Sequence, residues 1–142
     1  MGFDPAGDYP IGSERPELIR TPGGLRLDEL TLEALRSGRL EASEMRATAD
    51  TLRLQAEVAR EAGRPQLAAN LGRAAELAAL PDEVILEIYT ALRPHRSTAP
   101  ELEGWAVRLE GEFHAPLTAA FVREAGDVYS QRALLRSDAP AA

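Results

Sequence analysis

Cysteine and lysine are both missing from this chain of 142 residues. Without cysteine there are no disulfides, no thiolate metal sites and no cysteine nucleophile, and the sequence suits a reducing compartment. The absence of lysine makes all 16 basic residues arginine. Alanine is also heavily used, so this reads as codon bias more than as a choice of arginine forks for interfaces. Aromatic residues are scarce: one tryptophan, three tyrosines and three phenylalanines. A core must therefore rest on leucine and alanine, which brings helices close and argues against a large ligand cavity. Apolar runs are too short to span a bilayer, and "MGFDPAGDYPIG" lacks the basic-then-apolar layout of a signal peptide. A soluble, cytoplasmic protein is the expectation. Positive charge is short as well: the net charge of −7 argues against a binder of nucleic-acid phosphates, which presents a basic face.

What is present points to helices. The chain holds 25 alanines and 20 leucines against nine valines and isoleucines together, good helix formers without β-branched runs. The expected class is all-α: a small irregular bundle of five to six helices with an extended N-terminal arm. Residues 1–24, rich in proline and glycine without periodicity, form that arm; Tyr9, Ile11, Leu18 and Ile19 would let it dock on a surface. Residues 25–136 form the helical domain, and 137–142 a frayed tail. Asp28 reads as the cap of "ELTLEALRS" and Gly38 as its stop. Thr48 caps "ADTLRLQAEVAREA". Gly63-Arg64-Pro65 is a tight turn into "PQLAANLGRAAELAAL", and Asp82 caps "EVILEIYTALR". The last helix spans roughly Pro116 to Leu135.

Between the helices around residues 90 and 100 lies "RPHRST", Arg93 to Thr98. Its two arginines, histidine and hydroxyls could mark an anion site. The local chemistry favours a joint. Pro94 ends one helix, and Thr98-Ala99-Pro100-Glu101 matches a capping box that opens the next. Arg93 and Arg96 sit near a helix carboxyl end, where positive charge is favoured. No glycine-rich cradle or acid–base partner lies nearby.

Apolar faces are wider than one stripe of about 100° requires. In the Thr48 helix Leu52, Ala56 and Ala59 share one face, and Leu54 and Val58 lie nearly opposite. In the last helix Leu117, Phe121, Val128 and Leu135 form a stripe that Val122, Tyr129 and Ala133 widen. Before Pro94, Ile85, Ile88 and Leu92 point inward, with Leu86 and Tyr89 off that face. A central position in the bundle accounts for one such helix. Three imply an apolar surface covered by another protein.

Catalytic signals are missing. His95 and His114 fall on different elements without a second histidine at i+3 or i+4, so neither forms a metal pair. No GxSxG elbow, P-loop or GxGxxG occurs. Pairs such as Glu110/Glu112 read as solvated helix faces, and Arg123 with Asp127 as an i,i+4 ion pair. "AGRPQLAANLGRAAEL" has some likeness to a tetratricopeptide unit, but alanine stands at its aromatic positions and no second copy follows.

"DYP" (Asp8 to Pro10), "TLRLQAEVAREAGR" (Thr51 to Arg64), "LAANLGRAAEL" (Leu67 to Leu77), "PDEVILEIYTALRPHRST" (Pro81 to Thr98) and "AAFVREA" (Ala119 to Ala125) occur in an order that resembles the small subunit of adenosylcobalamin-dependent diol and glycerol dehydratases. Pro116 and Gly126 depart from that family's last helix, and "TPGGLR" matches poorly. The resemblance implies a dimer of heterotrimers with large and medium subunits, served by a reactivating factor, and involving neither nucleic acid nor membrane. It places the diol and a metal ion in the large subunit's (β/α)₈ barrel and adenosylcobalamin between the large and medium subunits. It leaves no catalytic, cofactor-binding or metal-binding residue in this chain. The expected interface comprises Leu54, Val58, Tyr89, Arg93, Arg96, Val122 and Tyr129. A preference for 1,2-propanediol or glycerol, and enclosure in a bacterial microcompartment, stay open. A free-standing helical adaptor is the alternative.

Overall fold

In the computed structural model, which describes residues 2–137, the alanine- and leucine-rich stretches are helical throughout. The chain is all-α, with seven α-helices among the described residues: α1 Ile11–Glu14, α2 Leu32–Arg36, α3 Ala49–Glu61, α4 Pro65–Leu77, α5 Asp82–Ala91, α6 Ala99–Gly111 and α7 Pro116–Gln131. Three short 3-10 turns add to these, and extended pairing is limited to one isolated bridge between Arg20 and Arg26. The chain divides into two compact units between Ala78 and Ala79.

The first unit is built on the α3–α4 hairpin. Thr48 caps α3 by accepting a hydrogen bond from the Thr51 N–H, Gly63 takes a left-handed φ of 70° after it, and Pro65 opens α4. This is the turn that the sequence specifies: glycine supplies the left-handed residue and proline the first helical position. The helices bury Ala56 and Ala59 on α3 and Ala68 and Ala75 on α4, so small side chains let the two backbones approach. Within residues 1–24 lie α1, whose Ile11 is buried, and a 3-10 turn at Pro16–Leu18. Capping of α2 differs from expectation. Its N-cap is Thr31, because residues 27–29 form a 3-10 turn of their own in which Asp28 receives the Arg26 guanidinium.

The second unit holds α5, α6 and α7. Here the N-cap of α5 is Pro81, and Asp82 is already helical. Proline holds the extended backbone a cap needs, and Asp82 and Glu83 then favour the positive helix start. Val84 and Ile88 are buried along one side of α5, and Leu80 is buried just before it. Leu102, Ala106 and Leu109 of α6 meet Thr118, Ala119 and Val122 of α7 in the best-packed part of the core. Gly126 continues this seam, where a Cβ would lie 3.7 Å from Leu102 Cδ1. The buried face of α7 therefore differs from the sequence expectation. Small residues Thr118 and Ala119 turn inward with Val122, while Leu117 and Phe121 are exposed. α7 starts at Pro116, as expected, but ends at Gln131; a turn follows with Ala133 at φ 55°. Of the expected frayed tail, residues 138–142 lie outside the described residues.

Candidate functional site

The joint between α5 and α6 is closed by hydrogen bonds from two directions. On its own side, Thr98 and Glu101 form the expected capping box: Thr98 Oγ1 accepts from the Glu101 N–H and Glu101 Oε2 accepts from the Thr98 N–H at 2.8 Å. Ser97 Oγ donates to the Ala91 carbonyl at 2.8 Å. From the other side, the segment after α7 clasps the loop. The His95 N–H donates to the Leu134 carbonyl at 2.7 Å and the Arg136 N–H to the Ser97 carbonyl at 2.8 Å. The Arg136 guanidinium adds a bond to the Arg96 carbonyl at 2.8 Å and an ion pair to Glu101 at 2.6 Å. Tyr129 Oη donates to the Leu92 carbonyl. The Glu101 carboxyl is thereby held below the usual glutamate range, first by the Thr98 N–H and then by Arg136.

This network uses backbone groups and leaves two side chains over. Arg93 and Arg96 are exposed, and their guanidinium groups have no partner among the described residues. His95 stands between them at φ 62°, a turn position. His114 has the matching place after α6, at φ 53°, where the Ala115 N–H bonds back to the Leu109 carbonyl. Among the described residues no group of three or more His, Asp or Glu side chains could hold a metal ion.

On α5 the residues opposite the buried Val84 and Ile88 are Leu86, Tyr89 and Thr90, and Arg93 follows in the joint. Leu86 is 65% and Tyr89 69% exposed, and Thr90 Oγ1 is satisfied by the Leu86 carbonyl at 2.9 Å. Beside this stripe runs a shallow groove of about 410 Å³ lined by Leu86, Glu87, Thr90, Ala91, Arg96 and Trp105. Arg108 lies over the Trp105 ring, 5.0 Å from its centroid, and reaches Glu112 at 2.8 Å and Glu87 at 3.8 Å. On the far edge of the same unit Arg123 does not pair with Asp127. It crosses to α6, binding Glu110 at 2.6 Å and Glu103 at 3.0 Å, and these bonds pull the Glu110 carboxyl down and raise the guanidinium. Two carboxylates on the facing helix outcompete a single neighbour on its own.

The first unit has a larger apolar cleft of about 740 Å³ between the start of the chain and α3–α4, lined among others by Tyr9, Ile11, Val58, Ala59, Leu67 and Leu71. Tyr9 at its edge is 64% exposed.

The seven expected interface residues thus separate. Tyr89 is on the outer face of α5, and Arg93 and Arg96 sit on the adjoining joint. Val58 lines the cleft of the other unit, and Leu54 is half-buried on α3. Tyr129 is half-buried with its hydroxyl tied to α5. Val122 is 0% exposed between α6 and α7, so it offers no side chain to a partner. The expected interface left out Leu86, although it stands three positions before Tyr89 on the same helical face and is about as exposed. Sequence reasoning also missed the clasp by Leu134 and Arg136, for which no local signal exists.

The family model for the dehydratase small subunit matches residues 5–136. A propanediol dehydratase small subunit of Citrobacter freundii is 51% identical over 131 residues, covering 92% of this chain and 76% of the relative. That of Salmonella typhimurium strain LT2 is 50% identical over the same share of both.

Proposed function

This chain belongs to the dehydratase small-subunit family, and from that membership we propose that it is the small subunit of an adenosylcobalamin-dependent propanediol or glycerol dehydratase. The observation that carries the reading is identity of about half the residues across 92% of the chain to two propanediol dehydratase small subunits. In the assembled enzyme, adenosylcobalamin held by the other subunits supplies the radical chemistry that converts a 1,2-diol to an aldehyde. The residues of this chain do not fit either the cofactor or the metal: its two histidines serve turn positions, and its best-held carboxylates are engaged by arginines. No step of the reaction is therefore assigned to it.

Its part is assembly. The chain packs on the large subunit, within a dimer of trimers that also contains the medium subunit, through Tyr89, Arg93 and Arg96 on the second unit and through Leu54 and Val58 on the first. Tyr129 supports that surface from behind by fixing the end of α5. No helix among the described residues is long and apolar enough to cross a membrane.

The test is co-expression of the tagged chain with candidate large and medium subunits, then native mass measurement of what co-purifies. The expected result is a stoichiometric three-chain complex that turns over diol only when adenosylcobalamin is added. A soluble helical monomer that captures neither chain would overturn the reading in favour of a free-standing adaptor.

A further inference from the structure

We infer that residues 4–18 form a braced lid over the α3–α4 hairpin, seated by Ile11, which swings open while the hairpin stays folded. The inference stands on this chain's own geometry and does not depend on the small-subunit reading.

Four observations carry it. First, the segment holds itself together. Asp8 accepts from the Asp4 N–H at 2.8 Å and from the Arg15 guanidinium at 2.7 Å, and the same guanidinium binds Glu17 at 2.6 Å. Backbone bonds from Ser13 and Glu14 to the Pro10 carbonyl, and from Leu18 to the Arg15 carbonyl, complete the brace. Second, nothing polar ties it down. Among the described residues no hydrogen bond or ion pair runs from residues 4–18 to α3 or α4. Charge does not draw it in either: it carries Asp4, Asp8, Glu14 and Glu17 against Arg15 alone, and the cleft wall offers Glu61 as well as Arg64. Third, its apolar grip is small. Ile11, 7% exposed, is the one buried side chain of residues 4–18. The cleft of about 740 Å³ that separates it from Val58, Leu67 and Leu71 leaves much of its inner surface without van der Waals neighbours. Such a segment belongs to the low-stability end of a domain, where local opening costs less than global unfolding. Fourth, the chain beyond it is anchored. Thr21 is buried, and Ile19, Thr21 and Leu27 line a smaller hollow with Thr48 and Thr51 at the start of α3. The lid meets this base at Gly12 without a side chain, where a Cβ would lie 3.7 Å from Leu27 Cδ1. The backbone change on opening therefore falls between Leu18 and Thr21, the few residues of a hinge.

The experiment exploits the absence of cysteine. Ala59→Cys puts a lone thiol on the wall of the cleft, where the native side chain is 5% exposed. Ala75→Cys puts one on α4 outside the cleft lining, at a position 1% exposed. The full chain carrying either thiol is labelled with a maleimide, alone and combined with Ile11→Ala or Arg15→Gln, and far-ultraviolet circular dichroism follows helicity. The expected result for the Ala59→Cys chain is labelling at least about tenfold faster with Ile11→Ala and about threefold faster with Arg15→Gln. The Ala75→Cys chain should label at its own unchanged rate in both backgrounds, with helicity retained. Equal acceleration at the two positions makes the segment part of the hairpin's core and overturns the inference. Unchanged labelling of the Ala59→Cys chain in either background overturns it as well, because the seat or the brace then holds nothing shut.

Discussion

Thr98 and Glu101 each satisfy the other's backbone N–H, so the start of α6 has no orphan donor at these two places. Thr98→Ala should lower stability by about 1 kcal/mol, read as a shift in the urea midpoint. Glu101 also gives the joint a pH dependence. Its carboxyl is depressed in the folded state by the Thr98 N–H and Arg136, so the stabilisation is complete above the ordinary glutamate value of 4.5 and is lost as pH falls through the lower folded value. Glu101→Gln can still close the capping box but cannot titrate. Its urea midpoint should fall less steeply than that of wild type below about pH 4.5. Ala133, at φ 55° after α7, is in a conformation that glycine adopts freely. Ala133→Gly should therefore stabilise by about 0.5–1 kcal/mol, net of the looser unfolded chain. The capping of α6 was legible in the sequence because both partners lie within one turn. Asp28 and Asp82 were misplaced as caps for the opposite reason. A cap depends on where the backbone turns, and Arg26 and Pro81 set that.

At the scale of helices, α6 and α7 pack through what they lack. Leu102 and Leu109 are received by Thr118, Ala119, Val122 and Gly126, side chains small enough for a close crossing. Val122→Asp should therefore unfold this unit, since a buried carboxylate without a partner costs several kcal/mol. Far-ultraviolet circular dichroism of the free chain would show the lost helicity. Gly104 and Gly126 behave differently. A methyl at Gly104 meets nothing within 4 Å, and at Gly126 it makes ordinary contact with Leu102. Either alanine substitution should stabilise by about 0.5–1 kcal/mol through helix propensity, measurable by thermal melting. Six of the seven α-helices among the described residues, and most of their boundaries, could be read from caps and breakers; α1 lies within the stretch expected to be an extended arm and was not foreseen. The buried side of α7 could not, because large apolar residues dominate a periodicity reading. The seam instead follows the small ones, and Leu117 and Phe121 are left outside. On α5 the same reading was right for Ile88 alone of its three inward residues: Ile85 and Leu92 are half-buried, and Val84 is buried in their place.

For the whole molecule, the division at Ala78–Ala79 means that each unit depends on a core of modest size, and domains below about 80 residues seldom gain more than about 3–5 kcal/mol from one. The free chain should accordingly be protease-sensitive, and its resistance should rise with added large and medium subunits; pulse proteolysis in urea measures both. Family membership was legible because its signature segments are spread from Asp8 to Ala125. The exposure of the expected interface residues was only half legible. Exposed arginines and a second apolar stripe can be read from spacing, but Val122 and Tyr129 show that a wide apolar arc is as readily absorbed within a chain as offered to a neighbour. The clasp on the joint also bears on synthesis. Arg96 waits for a partner 40 residues further along, so a chain still emerging from the ribosome presents this loop without its closing bonds. A partner that recognises the closed loop would thus discriminate between nascent and finished chains, making assembly a late event in the life of each copy.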